Sequence, residues 1–185
     1  EIAAALFSEY GIYTLGPLGF ENAYGIAVTR ALAEEYDLRS IGDLRRVPEL
    51  EMAADAEFFA RAEWVRLREL YGLSHVTPRS MDAAFMYDAV REGEVDAITA
   101  YTTDGRIAAF DLVVLRDPLA ALPPYDAMVL LSAEAARRTA VTNALAPLIN
   151  AIDAPLMRRA NAVVDMEGRS ISNAADLLDE ALDER

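Results

Sequence analysis

The sequence contains no cysteine and a single histidine, and both scarcities restrict its chemistry. Without cysteine the chain can form neither disulfide bonds nor thiolate–metal sites, although this absence fits proteins on either side of a membrane. The lone histidine, His75, lies in a predicted surface loop, "GLSHVTP". The chain is therefore a poor candidate for a transition-metal site, and we expect neither a metal nor a cofactor.

Basic residues and long apolar runs are also in short supply. The 17 Lys and Arg residues face 31 Asp and Glu residues, which gives a formal charge of −14. Such a surface repels nucleic acid and anionic lipid, so we expect no nucleic-acid partner. No apolar run approaches the roughly 20 residues of a membrane-spanning helix. With 54% apolar and 26% charged residues, the composition is that of a globular protein.

The motifs of enzymes are missing too. The "GPLG" stretch has neither the glycine spacing nor the Lys-Ser/Thr ending of a phosphate-binding loop. Acidic residues are scattered over predicted helix faces, where a solvated charge is the usual explanation, and nothing marks a paired acid and base. These patterns favour a binding protein over an enzyme.

Strand and helix patterns alternate along the chain. Apolar runs such as "LEMAAD" and "DLVVLRD" predict strands, and they are separated by helical patterns. The longest of these, "AEFFARAEWVRLRELYGL", predicts one amphipathic helix that ends at Gly72. Alternation of this kind predicts an α/β fold with a largely parallel sheet.

Two connections rich in glycine or proline divide the chain, at residues 16–22 and at residues 121–125. The segment between them has the size of one compact lobe. We therefore predict a central ligand-binding lobe, residues 22–124, inserted between two pieces of an outer lobe, residues 1–21 and 125–185.

Three tyrosines lie where ligands collect in such folds. Tyr24 follows the first connection, Tyr101 ends a predicted strand, and Tyr125 closes the second connection. Ligands gather at strand ends and between lobes, and converging tyrosine rings can hold a quaternary ammonium by cation–π attraction. The alternative for each ring is packing in the core with its hydroxyl at the rim. Residues 102–104, after Tyr101, are predicted to close a turn and cap the next helix.

The order of motifs resembles that of a known protein family. "GFENAYGIAVTRALAEEY" is followed by "DAEFFAR", then by "AYTTDG" and by "LPPYDAMVLL". This order is similar to that of the substrate-binding proteins of glycine betaine/choline (osmoprotectant) ABC transporters, in the branch with tyrosine cages. The pattern Ala-Tyr-Thr-Thr-Asp-Gly followed by Pro-Pro-Tyr is its most specific part. The resemblance implies a type II periplasmic-binding-protein fold, with two lobes joined by a hinge.

The resemblance also implies roles for five residues. Tyr24, Tyr101 and Tyr125 would form a cage around a trimethylammonium group, and Asn22 would offer a backbone carbonyl toward its methyl groups. Arg61 would meet the carboxylate of a ligand that carries one, a role that suits the two-pronged guanidinium.

Partners and location follow from the same resemblance. The ligand would be a quaternary amine, which one being left open, and the partner would be the permease of an ABC transporter. The protein would act outside the cytoplasm, in the periplasm or anchored at the outer face of the cell membrane. Two alternatives stay open: a ligand-sensing module of the same fold, as a receptor domain or a permease fusion, and an enzyme on this fold.

The chain departs from the family pattern in two ways. The family has a further N-terminal segment that supplies most of one lobe, so we expect the N-terminal portion to be absent here and the outer lobe to be incomplete. Its apolar helix faces would stay exposed unless a partner chain, such as a second copy in a homo-oligomer, covers them. After Arg61 the chain also has Ala62, Glu63 and Trp64 where the family often has acidic residues and a glycine.

Overall fold

The structure, a computed structural model, describes residues 2–183. Its strands are β1 (Tyr13–Glu21), β2 (Tyr24–Thr29), β3 (Glu51–Ala54), β4 (Thr77–Ser80), β5 (Ala97–Tyr101), β6 (Leu112–Leu115) and β7 (Asp126–Leu131). Its α-helices are α1 (Ile2–Tyr10), α2 (Arg30–Glu35), α3 (Ala56–Ala60), α4 (Ala62–Tyr71), α5 (Ala83–Glu92), α6 (Gly105–Ala109), α7 (Ala133–Ala136), α8 (Thr139–Leu145), α9 (Ala154–Asp165) and α10 (Ile171–Asp183). Short 3-10 helices cover Ile41–Arg46 and Ala146–Leu148. None of these described helices has the length and apolar character that crossing a bilayer requires.

The larger sheet contains five strands in the spatial order β4-β3-β5-β2-β6. β3 pairs in parallel with β4 and β5, whereas β2 runs antiparallel to β5 and β6. Four of the five strands therefore share one direction, in agreement with the predicted α/β fold, and β2 is reversed.

Apolar side chains pack on both faces of this sheet, because successive residues of a strand point to opposite sides. On one face Ile26 belongs to a cluster with Leu67 of α4. On the other face Ile98 belongs to a cluster with Val90 of α5. Burying a side chain of this size stabilises the fold by about 1.5–3 kcal/mol, so helices on both faces hold the strand ends in place.

The single helix predicted over residues 56–71 is wrong, because the structure has two helices there. α3 ends and α4 begins at Arg61, whose φ of −81° and ψ of 156° are extended. The periodicity concealed this break, since Phe58 before it and Leu67 after it reach the same core. Gly72, in the left-handed region with a φ of 63°, ends α4 as predicted.

Residues 16–22, predicted as a connection, instead lie largely in strand β1. This strand pairs antiparallel with β7 in a separate two-stranded sheet. Pro17 is accommodated because register shifts interrupt the pairing. Gly19 has a φ of 114°, and a Cβ there would lie 2.9 Å from the carbonyl oxygen of Ile152. The glycine is therefore needed for the close approach of the two segments.

The C-terminal helices pack back onto the rest of the chain. α9 contacts α6, β1 and α10. Ala160 and Val163 of α9 are buried, and they form a small cluster with Ala174 of α10. α9 therefore lies against the segment that follows β5.

Large apolar side chains stay exposed on the elements assigned to the outer lobe. Phe7 and Tyr10 of α1 are 51% and 70% exposed, and Leu130 of β7 is 47% exposed. A two-stranded sheet is marginal on its own in water, so these elements depend on their contacts with the rest of the chain.

Candidate functional site

One cleft of about 210 Å³ is lined by Asn22, Tyr24, Arg61, Tyr101 and Tyr125. They come from the turn before β2, the start of β2, the break between α3 and α4, the end of β5 and the turn before β7. The structure thus brings together all five residues named from the sequence. Their role in binding stays a prediction.

Tyr24 and Tyr101 form one wall of the cleft. They are partners in the antiparallel pairing of β2 with β5, so their side chains lie on the same face of the sheet. The ring centroids are 5.0 Å apart with an angle of 28° between the planes, and the hydroxyls share a 3.3 Å hydrogen bond. Stacking of this kind adds about 0.5–1.5 kcal/mol to simple burial. It holds two electron-rich faces in a defined orientation.

The Tyr24 ring packs against the ring of Phe58, and its phenol stays neutral. Phe58, which is fully buried, lies with its ring centroid 5.2 Å from that of Tyr24. The hydrogen bond with Tyr101, followed by burial, raises the pKa of the Tyr24 phenol above its ordinary value. The ring is therefore uncharged at physiological pH, and its face is set by packing.

Arg61 reaches the cleft because the helical backbone is interrupted at this residue. Its guanidinium carbon lies 5.9 Å from the centroid of the Tyr24 ring. Nη2 pairs with the carboxylate of Glu57, and Nη1 lies 3.9 Å from Oε1 of Glu63. The hydrogen bond with Glu57 raises the pKa of Arg61. The cleft therefore contains a permanent positive charge that is shared with two acidic side chains.

Asn22 and Tyr125 tie together the two segments that enter and leave the larger sheet. The Asn22 N–H donates to the carbonyl oxygen of Tyr125 at 3.1 Å. The Asn22 side-chain oxygen accepts from Thr103 Oγ1 at 2.7 Å, and the Tyr125 N–H donates to the Glu21 carboxylate at 3.4 Å. Tyr125 is 47% exposed, so its ring stands at the open edge of the cleft.

The turn after Tyr101 has the structural role predicted for it. Thr102 Oγ1 donates to the carbonyl oxygen of Glu21 at 2.7 Å and accepts from the Ala23 N–H at 3.1 Å. Asp104 is the N-cap of α6, where its carboxylate accepts a backbone N–H. The turn therefore connects Tyr101 to the end of β1.

Two residues of α9 brace this turn, and sequence reasoning missed both. Arg158 Nε donates to the carbonyl oxygen of Thr102 at 2.6 Å, and Asn161 Nδ2 donates to that of Thr103 at 2.7 Å. Burial lowers the pKa of Arg158. Their i, i+3 spacing places them on one helix face, which was the available signal. Nothing local identifies a partner 56 or 58 residues away.

Other parts of the chain offer weaker sites. His75 is exposed in a turn, as predicted. Among residues 2–183 no group of three or more His, Cys, Asp or Glu side chains could hold a metal ion. A larger cleft of about 440 Å³ lies at the far end of β2, near Arg30 and Asp111. Arg30 and Asp111 form an ion pair at 2.7 Å, so their charges already compensate each other without a ligand.

The chain is similar in sequence to known proteins. A sequence model of the family "Substrate binding domain of ABC-type glycine betaine transport system" matches residues 1–178. The glycine-betaine-binding protein of Pseudomonas aeruginosa is 35% identical over 186 residues, which cover 92% of this chain. The chain spans only 60% of that relative's length.

Solved structures show the same fold. A crystal structure titled glycine betaine/carnitine/choline ABC transporter superposes with a TM-score of 0.88 at 28% identity, covering 98% of this chain and 67% of the other. Apo YehZ of Escherichia coli superposes with a TM-score of 0.79 at 27% identity, covering 97% of this chain and 69% of the other. The fold is that of a type II periplasmic binding protein, as predicted.

Proposed function

This chain belongs to the family of substrate-binding domains of ABC-type glycine betaine transport systems, and we propose that it captures a quaternary-ammonium solute such as glycine betaine or choline. The family is one of transport proteins, and the ligand would pass unchanged to a membrane permease. The proposed place of action is outside the cytoplasm, in the periplasm or at the outer face of the cell membrane. Because the chain spans part of its relatives' length, substrate and partner are proposals for the protein as a whole.

The observation that carries the proposal is the meeting of Tyr24, Tyr101 and Tyr125 in one cleft. A quaternary ammonium cannot donate a hydrogen bond, so a site for it needs ring faces and shape. Each ring contributes about 0.5–2 kcal/mol when water is excluded. The stacked pair of Tyr24 and Tyr101 supplies preordered faces, and Tyr125 would close the cage from the other connection.

Arg61 gives the same cleft a second type of contact. A guanidinium can hold a carboxylate in a bidentate pair. Arg61 lies 5.9 Å from the Tyr24 ring, and glycine betaine carries its carboxylate two bonds from its methylated nitrogen. One small zwitterion can therefore touch both the ring faces and the guanidinium. Asn22, which also lines the cleft, is proposed to contribute its backbone carbonyl.

The arrangement of the connections supports a hinge. The larger sheet lies within residues 22–124, the proposed ligand-binding lobe, and the paired strands β1 and β7 run along its two connections. Residues 1–21 and 125–185 are proposed to contribute to the outer lobe, although α9 packs against α6 of the central one. Closure about these strands would exclude water from the cleft and strengthen cation–π attraction.

A titration tests the proposed function. The purified chain is titrated with glycine betaine, choline, carnitine and proline betaine by calorimetry and by saturation-transfer NMR, which also detects weak binding. We expect saturable binding without chemical change of the ligand. Tyr101→Phe should retain most of the affinity, whereas Tyr101→Leu should lose about tenfold because one ring face is gone.

A matched substitution controls this experiment. Tyr10→Leu removes a ring that is 70% exposed and does not line the cleft, so the affinity should be unchanged. Equal affinity of the Tyr101→Leu variant for a quaternary amine would rule out the cage.

A further inference from the structure

The guanidinium of Arg61 is already occupied by carboxylates of the protein. Nη2 contacts Glu57, one helical turn earlier, and Nη1 lies 3.9 Å from Oε1 of Glu63. A carboxylate can bind a guanidinium through two parallel hydrogen bonds. These bonds come either from Nη1 and Nη2 or from Nε and Nη2. Nη2 belongs to both of these edges and carries one hydrogen on each, so Glu57, which accepts through Oε1, leaves only one hydrogen of Nη2 for the carboxylate of a ligand.

The third guanidinium nitrogen of Arg61, Nε, indicates which ligand group could bind there. Nε of Arg61 is buried and, within residues 2–183, has no hydrogen-bond partner. An unpaired buried donor is costly, and a ligand carboxylate would satisfy it if movement of the surrounding side chains opened the Nε and Nη2 edge. Such a ligand competes with the Glu57 carboxylate for the hydrogens of Nη2.

Glu57 can leave without disturbing the core. Its side chain is 72% exposed, and exposed ion pairs of this kind are weak because water and salt screen them. Glu57 lies in the first turn of α3, so it can turn into solvent while Phe58 keeps the helix anchored in the core. Competition between Glu57 and a ligand is therefore sterically feasible.

We propose that Glu57 determines which quaternary amines the cleft prefers, by competing for Arg61 with the carboxylate of the ligand. An amine with a carboxylate, such as glycine betaine, must compete with Glu57 for the guanidinium of Arg61. An amine without one, such as choline, leaves the pair intact and gains from the nearby negative charge. This inference rests on the proposed function of the cleft.

The two classes of ligand give the proposal a differential test. Dissociation constants for glycine betaine and choline are measured for the unaltered chain and for Glu57→Gln. We expect glycine betaine to bind about two- to fivefold more tightly to the variant, as removal of a weak competing ion pair would give. Choline should bind equally well or up to about twofold more weakly, because a negative charge near its cation is lost.

Two further variants make the result specific. Glu69→Gln removes the same charge from an exposed position on α4 that does not line the cleft, and it should leave the ratio of the two constants unchanged. In an Arg61→Met background, Glu57→Gln should no longer tighten glycine betaine. Thermal unfolding confirms that each variant is folded.

The outcomes separate this inference from the proposed function. If both amines bind and Glu57→Gln shifts them by the same factor, or still tightens glycine betaine without Arg61, the inference is overturned and the cage stands. If neither amine binds the unaltered chain, the proposed function fails and the inference fails with it.

Discussion

Gly105, the first residue of α6, lies so close to Ala162 of α9 that a Cβ on the glycine would be 2.7 Å from the backbone nitrogen and Cα of Ala162. Contacts that short do not occur in folded proteins, so this position accepts glycine only if the helices keep their present spacing. Because Gly105 directly follows the Asp104 cap, the contact also sets the distance between α9 and the turn after Tyr101.

We therefore predict that Gly105→Ala destabilises the chain. The added methyl group must push α9 away from α6, which should lower the free energy of unfolding by about 1–3 kcal/mol. Urea denaturation measures this as a lower midpoint. Ala108→Ser, which adds one atom on an exposed side of the same helix, is the control and should change little. An unchanged midpoint for Gly105→Ala would mean that the two helices are not in close contact.

Phe58 supports Tyr24, and its replacement should affect binding as well as folding. Phe58→Leu keeps an apolar side chain in the core and should cost about 1 kcal/mol of stability. It removes the ring that contacts Tyr24 at 5.2 Å, so the Tyr24 ring should tilt more freely and amine affinity should fall several-fold. Calorimetric titration and urea denaturation measure the two effects separately.

Phe85→Leu provides the comparison for this substitution. Phe85 is 66% exposed and does not line the cleft, so both stability and affinity should stay close to those of the unaltered chain. If Phe58→Leu weakened the fold but left the affinity intact, Phe58 would support the core alone.

The environment of Tyr71 predicts how the stability of the folded chain depends on pH in the alkaline range. Its buried hydroxyl contacts the Asp117 carboxylate and accepts the Leu119 N–H at 2.9 Å. Burial, followed by the contact with Asp117, raises the pKa of Tyr71 from 10.0 to about 12. The folded state therefore holds this proton more tightly than the unfolded state. The stability contributed by Tyr71 is present in full below pH 10 and is lost as the pH rises to about 12.

Urea denaturation across this range tests the assignment. The free energy of unfolding should fall between pH 10 and about 12, and Tyr71→Phe should show a shallower fall. The variant should also lose about 1 kcal/mol at neutral pH, because two polar partners lose their contact. Tyr10→Phe, at an exposed ring, should keep the slope of the unaltered chain. An identical slope after Tyr71→Phe would assign the pH dependence to other groups.

The candidate site could be named from the sequence because its residues stand at the ends of recognisable elements. Tyr101 ends an apolar run, Tyr125 follows two prolines, and Asp104 caps the helix after the turn. Such signals act over a few residues, so the sequence displays them directly. The resemblance then added Asn22 and Arg61, because a single polar residue in a connection or a helix is ordinarily a solvated side chain.

What could not be predicted depends on contacts between distant segments. The break at Arg61 lies inside a continuous helical pattern, since the residues on both sides reach the same core. The competition between Glu57 and a ligand arises from that break, which turns the guanidinium toward the Tyr24 ring. The sequence of residues 16–22 predicts a connection and not strand β1, because the partner strand β7 lies far along the chain.

The sequence by itself determined the alternation of strands and helices, the helix caps, and the tyrosines at the strand ends, because hydrophobic period and capping chemistry act between near neighbours. Only the tertiary structure decided that Tyr24 stands opposite Tyr101, that Arg61 lies near the Tyr24 ring, and that α9 donates hydrogen bonds to the turn after Tyr101. Pairing register and helix docking are set by packing between segments far apart in the chain, and such packing leaves no local pattern in the sequence.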